Sequence, residues 1–348
     1  MNGSMADYLQ VVTPHLHPEL VSPEALSRIQ ELAEILPLVS DAVLESRLGE
    51  GQSRVDFQIT LHRCTLNLPE RFLISPIWQA VRDYYQEWSE PNSFLYRSVD
   101  HITLEFDLDE PRSQLPIPCI GLALNRAVGR EAASLMKIVE RLSLIQFQHL
   151  ASSRLESDLQ LCFNSLPDGA RIAGIGLMLS RPTKVVKVVV KEMPPQQFSD
   201  YLEQIGWAEP RDVLSTLVST LSEFVDSIAL SFDIGDTIYP RIGLECFWEK
   251  QPFDEPRWQL FLAHLVERGL CTPAKQNALL AWPGFSQKAD CPDLWPPNLT
   301  WGDQFLSSQA FSVFSRTIYE VKIVYQPGRA LEAKAYLVFA HSWCEADS

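Results

Sequence analysis

Val99-Asp-His-Ile-Thr-Leu-Glu-Phe-Asp-Leu108 and Val225-Asp-Ser-Ile-Ala-Leu-Ser-Phe-Asp-Ile234 are two versions of one stretch of chain. Asp100, Ile102, Leu104, Phe106 and Asp107 return as Asp226, Ile228, Leu230, Phe232 and Asp233. After loops of different length, Pro118-Cys-Ile-Gly-Leu122 matches Pro240-Arg-Ile-Gly-Leu244. A match that runs across a whole hairpin reads as an internal duplication. Within each copy the apolar residues fall on every second position. Ile102, Leu104 and Phe106 alternate with His101, Thr103 and Glu105, the period of a strand with one apolar and one polar face. A helix is predicted after each copy, over about 130–148 and 257–268, with Leu135, Ile138 and Leu142 or Trp258, Phe261 and Leu265 along one side.

The same unit recurs with weaker similarity. Val55 to His62 alternates cleanly, and a helix follows over 77–88, with Ser75 as N-cap and Pro76 in its first position. Residues 170–179 and 184–191 form a predicted hairpin about Ser180-Arg-Pro182, followed by helices near 197–207 and 211–226. Residues 317–325 and 331–339 flank Gln326-Pro-Gly-Arg329, a strong turn signal. A helical segment is expected from Pro23 to about Leu48, broken or kinked at Pro37, and the stretch from 283 to 308 reads as an irregular loop packed on the surface or a lid over one barrel end.

The predicted fold class is therefore α/β of the α+β type, built from repeated ββα units. Two architectures satisfy it: an antiparallel ten-strand barrel ringed by helices, or two open sheets side by side under their own helices. The expected division is 1–50 as an N-terminal helical segment, 51–165 as a first half and 166–348 as a second half closing the same barrel.

Composition narrows the functions. The chain has 348 residues, 46% of them hydrophobic and 21% charged, which is ordinary globular composition. A net charge of −15 argues against nucleic acid and anionic membrane surfaces as partners. Seven cysteines without CxxC spacing and a first stretch without a signal-like apolar core predict a cytoplasmic protein with free thiols. No phosphate-binding glycine loop, nucleophile elbow or zinc-protease motif is present. His15 and His17 read as loop histidines.

Strand parity is more informative. If helices cover the apolar faces, Lys187, Lys191, Arg241, Lys322 and Lys334 point into one interior from three separate hairpins. They share it with Glu105, Asp107, Asp233, Glu245 and Tyr336. Converging cations suit a phosphate or diphosphate. An ordinary solvated sheet face would show the same alternation.

Five hairpins separated by helices, over roughly residues 50–340, resemble the ABBA prenyltransferase family. The resemblance lies in element order. It implies a ten-stranded barrel, a soluble enzyme and an isoprenyl diphosphate held by Lys187, Lys191, Arg241, Lys322 and Lys334. It also implies Tyr336 as a shield and Glu105 as the carboxylate that orients or deprotonates an aromatic or peptide acceptor. No cofactor is required on this reading, and Mg2+ is compatible with it. Two other classes stay open: a cyclase or isomerase using Glu105, Asp107 and Tyr336 as acid and base, and a non-enzymatic protein that binds a peptide or small molecule.

Overall fold

The computed structural model describes residues 3–63, 68–108, 115–145, 153–181, 185–306 and 310–345. Its strands are β1 (Asp41–Arg47), β2 (Val55–Leu61), β3 (Val99–Phe106), β4 (Cys119–Leu124), β5 (Arg171–Leu177) and β6 (Val186–Lys191). They continue with β7 (Ser227–Ile234), β8 (Ile238–Phe247), β9 (Gly284–Ser286), β10 (Ala310–Tyr325) and β11 (Glu332–Glu345). The helices are α1 (Met5–Val12), α2 (Pro23–Ile35), α3 (Pro76–Ser89), α4 (Phe94–Ser98), α5 (Ala132–Ile145) and α6 (Ser153–Asn164). They continue with α7 (Phe198–Gln204), α8 (Asp212–Ser222), α9 (Arg257–Glu267), α10 (Pro273–Ala281) and α11 (Pro297–Leu306).

The sheet runs β11-β1-β2-β3-β4-β5-β6-β7-β8-β10, and β10 pairs back to β11. Every neighbouring pair is antiparallel, so ten strands close into a barrel, with short β9 added to the overhanging part of β10. Of the two architectures compatible with the sequence, the closed barrel is the one formed. Closure leaves the ten strands without an open edge along the barrel wall.

The pleat sorts the residues as their period dictates. Phe57, Leu104, Phe106, Val188, Leu230, Phe232, Leu244 and Leu337 are buried on the outside of the barrel, where they meet Trp78, Trp88, Tyr201, Trp258 and Phe261 from the helices. The hydrophobic core is thus the ring between strands and helices, and the polar faces turn inward. The two duplicated hairpins sit alike in this ring. Phe106 stacks on Trp78 of α3 at 6.3 Å, and Phe232 packs on Tyr201 of α7 at 6.2 Å. Their ladders nevertheless differ by two residues: Leu104 faces Ile120, whereas Leu230 faces Leu244 rather than Ile242. A two-residue slip preserves which side chains point inward.

Three expectations are corrected. The helix predicted to Leu48 ends at Ile35, and residues 41–47 form β1. Pro37 ends the helix, and beyond it Ala42, Leu44 and Ser46 alternate with Val43, Glu45 and Arg47 at strand period. The stretch read as an irregular loop contains β9 and α11. The last hairpin is longer than predicted, because the overhang of β10 and β11 carries β9 and packs on α1 and α11. Its Pro-Gly turn forms as expected, with Gly328 at φ 73°, a conformation that strains other residues. The end of the helix predicted to 148 lies outside the described residues, as do Pro182, Lys184 and Cys64. The six described cysteines are free.

Candidate functional site

The polar strand faces enclose a cavity of about 570 Å³. Room for it comes from small inward positions. Gly121, Gly174, Gly176, Gly243 and Ser231 line one wall where larger side chains would meet in the middle. At Gly243 the gap is already taken by its neighbours: a Cβ there would run into Cε of Lys322.

All five predicted cations line this cavity, together with Glu105, Glu245, Asp233 and Tyr336. They do not form one cluster of free charge. Lys187 donates to Asp233 at 2.7 Å, Lys322 to Glu245 at 2.8 Å and Lys334 to Glu45 at 2.8 Å. Arg241 sits at the rim, 3.4 Å from Glu332. Lys191 lies four residues along β6 from Lys187, roughly 13 Å at strand rise, and its Nζ rests 4.2 Å from the centre of the Phe247 ring. Lys322 and Lys334 are direct partners across the β10–β11 ladder, so two ammonium groups from neighbouring strands share the wall. Tyr336 is buried beside them, and burial with the charges of Glu45 and Glu320 pushes its hydroxyl well above the usual phenol range.

Glu105 has a partner that the sequence reading missed. Arg181 Nη2 donates to Glu105 at 3.1 Å and to Asp107 at 3.0 Å, while Ser180 donates to Asp107 at 2.6 Å. Asp107 therefore anchors Arg181 and leaves Glu105 facing the cavity. Burial raises the Glu105 carboxyl, helped by the charges of Glu45 and Asp56 and opposed by Arg181. Nearby, Cys119 is pushed up to about 11, chiefly by burial, which keeps it a neutral thiol.

Arg47, Asp56, Glu45 and Glu320 are further residues the sequence did not single out. Arg47 bridges Glu45 at 2.6 Å and Asp56 at 2.8 Å. Burial opposes the charge on Glu45, but Lys334 and Arg47 hold it well below the carboxylate range. Glu45 and Arg47 were hidden because β1 was read as helix, and Arg181 because it stands in a turn. Glu320 was legible by parity alone. Burial and the neighbouring Glu245 push its carboxyl well above the usual range.

Asp56, Glu105 and Asp107 bring carboxylate oxygens within 4.8 Å of one another, a spacing that could accommodate a divalent cation. Arg47, Arg54 and Arg181 already pair with these oxygens, so a metal ion would have to displace guanidinium groups. No described helix is long and apolar enough to cross a membrane.

No protein-family model matches the sequence, and no curated protein matches it. Solved structures do. The chain is similar to 5-dimethylallyltryptophan synthase from Streptomyces coelicolor, at 14% identity and a TM-score of 0.50, covering 95% of each chain. AnaPT from Neosartorya fischeri matches at 11% identity and a TM-score of 0.56, over 95% of this chain and 93% of that one. The prenyltransferase PriB, in a ternary complex with L-tryptophan and dimethylallyl thiolodiphosphate, matches at 14% and 0.52 over 96% of both. The fold is that of the ABBA-type prenyltransferases.

Proposed function

We propose that this protein is a transferase that moves an isoprenyl group from an isoprenyl diphosphate to an aromatic or peptide acceptor inside the barrel. The observation that carries the reading is the convergence of Lys187, Lys191, Arg241, Lys322 and Lys334 on one cavity within this fold. Lys322 and Lys334, adjacent across the ladder, would take the departing diphosphate, with Lys187 and Arg241 completing its charge. Stabilising that leaving group lowers the barrier to an allyl-cation-like transition state. The rings of Tyr336, Tyr319 and Phe247 would shield the cation through their faces. Glu105, held by Arg181, would accept the proton lost from the attacked acceptor.

A binding protein without chemistry is the second reading. It is favoured by the carboxylates that already answer four of the five cations. A diphosphate must displace Glu45, Asp233 or Glu245, or meet them protonated. Thermal shift with dimethylallyl, geranyl and farnesyl diphosphates separates the readings, because a ligand of the native state raises its melting temperature. Lys187→Ala and Lys334→Ala should each weaken binding by about 1.5–3 kcal/mol, the scale of a charge-assisted contact. Glu105→Gln should spare donor binding and reduce turnover. No shift with any donor, or a shift indifferent to both lysines, would leave the binding protein in front.

A further inference from the structure

At one corner of the barrel rim three arginines close on a single carboxylate. Arg126 Nη2 and Arg130 Nη2 each lie 2.8 Å from Glu192 Oε2, and Arg171 Nε lies 2.9 Å from Oε1. The chain gathers them from four places: Arg126 just after β4, Arg130 shortly before α5, Arg171 at the start of β5 and Glu192 just after β6. Among the described residues no second carboxylate pairs with any of the three arginines. Three cations against one anion leave an excess of positive charge, in a chain whose net charge is −15.

Two of the arginines are fixed by contacts other than Glu192. Arg171 Nη1 donates to the Leu124 carbonyl at 3.3 Å, and Arg130 Nη2 donates to the Gly169 carbonyl at 2.6 Å. Glu192 is the member held at a cost. Its φ of 60° lies in the left-handed region, and it is the one non-glycine residue there among the described residues. Its side chain is 30% exposed, so the carboxylate can turn out to water without crossing a packed core.

We propose that this corner is a binding site for a phosphate dianion, as inorganic phosphate or a phosphate monoester, which takes the place of the Glu192 carboxylate. A phosphate ester presents three terminal oxygens, one for each guanidinium, where the carboxylate must offer one oxygen to two. Its second negative charge answers part of the excess that Glu192 leaves. Arg126, Arg130 and Glu192 do not line the lumen, and only Arg171 borders it, so the body of an ester stays outside the chamber. Glu192 also stands five residues beyond Lys187, roughly 16 Å at strand rise, so the site is separate from the lysines assigned to the donor. Its occupation does not depend on what the lumen does.

The probes are inorganic phosphate and phenyl phosphate, with acetate as the monoanionic control, titrated calorimetrically at low ionic strength and about pH 7.5. Phenyl phosphate is then a dianion, because the second pKa of such esters is near 6. Glu192→Gly removes the competing carboxylate and suits the backbone at that position. It should bind phosphate or its ester at least tenfold more tightly than wild type, the scale of one charge-assisted contact. Adding Arg126→Met, which removes an exposed side chain, should take that gain away, whereas Lys334→Ala in the lumen should leave it intact. Circular dichroism checks that each variant is folded. Tighter binding of phosphate assigns the corner to the free ion, and tighter binding of phenyl phosphate assigns it to an ester. Equal affinity in wild type and Glu192→Gly, a gain indifferent to Arg126→Met or abolished by Lys334→Ala, or acetate bound as well as phosphate would each overturn the assignment.

Discussion

The hairpins at 99–124 and 225–248 agree on one face and part on the other. Outside the barrel, Ile102, Leu104 and Phe106 match Ile228, Leu230 and Phe232 residue for residue, and Ile120 and Leu122 match Ile242 and Leu244. Inside it, His101, Thr103 and Glu105 stand where Ser227, Ala229 and Ser231 stand in the second copy. Cys119 and Ala123 stand where Arg241 and Glu245 do. Only the inward glycine and aspartate survive in both, as Gly121 with Gly243 and Asp107 with Asp233. The helix-facing side repeats a packing problem with one good solution. The lumen side carries whatever each half contributes to ligand and chemistry.

The largest test of this contrast is at the phenylalanines. Phe106→Ala and Phe232→Ala should each cost about 3–5 kcal/mol in chemical denaturation, since both rings are buried against an aromatic helix residue. A loss at one and near-neutrality at the other would break the equivalence of the outer faces.

The aspartates come next. Burial opposes their charge, yet Arg181 with Ser180 and Arg54, and Lys187 with Lys322, hold Asp107 and Asp233 below the usual carboxylate range. Their contribution is therefore complete above the unfolded value near 3.9 and is lost as pH falls through the lower folded value. Asp107→Asn and Asp233→Asn should each lose about 1.5–3 kcal/mol at neutral pH, as for a hydrogen bond to a charged group. The gap to wild type should close as the solution is acidified below about pH 4. Urea midpoints measured across that range check it, and a gap that stays constant would show that the charge was not responsible.

The smallest effect should sharpen the contrast inside the lumen. A Cβ at Gly121 would meet the Thr103 hydroxyl, whereas one at Gly243 would meet both Ser231 Oγ and the stem of Lys322. Gly243→Ala should cost about 1 kcal/mol, the low end of overpacking because the obstructing atoms can shift. Gly121→Ala should cost less. Equal penalties would mean that Lys322 moves freely aside and is less fixed by Glu245 than its 2.8 Å contact suggests.

Most of the barrel was legible because its signal is periodic. Alternation in β2, β3, β6, β8 and the last hairpin set both strand and face, and with them the inward direction of all five cations. What escaped was non-local. Glu45 and Arg47 sit in a segment whose helical start, Pro23 onward, masked the strand beyond Pro37. That Lys334 is answered by Glu45 depends on pairing the last strand with the first, 289 residues apart, which no local pattern announces. The two-residue slip between the duplicated ladders was equally invisible, since it leaves every face unchanged.

That seam between β1 and β11 has a consequence in time. A chain made from its N-terminus presents β1 early, with one edge waiting for a partner that is among the last strands synthesised. Until β11 emerges the sheet is an open, curling ribbon with exposed edges, the form most prone to wrong pairing. The contacts that complete the lumen, Glu45 with Lys334 and Tyr336 opposite Glu45, cannot exist before then. A ligand chamber closed by its final hairpin is therefore finished last, and a chain cut short before residue 332 would keep most of its helices and strands yet have no interior in which to hold anything.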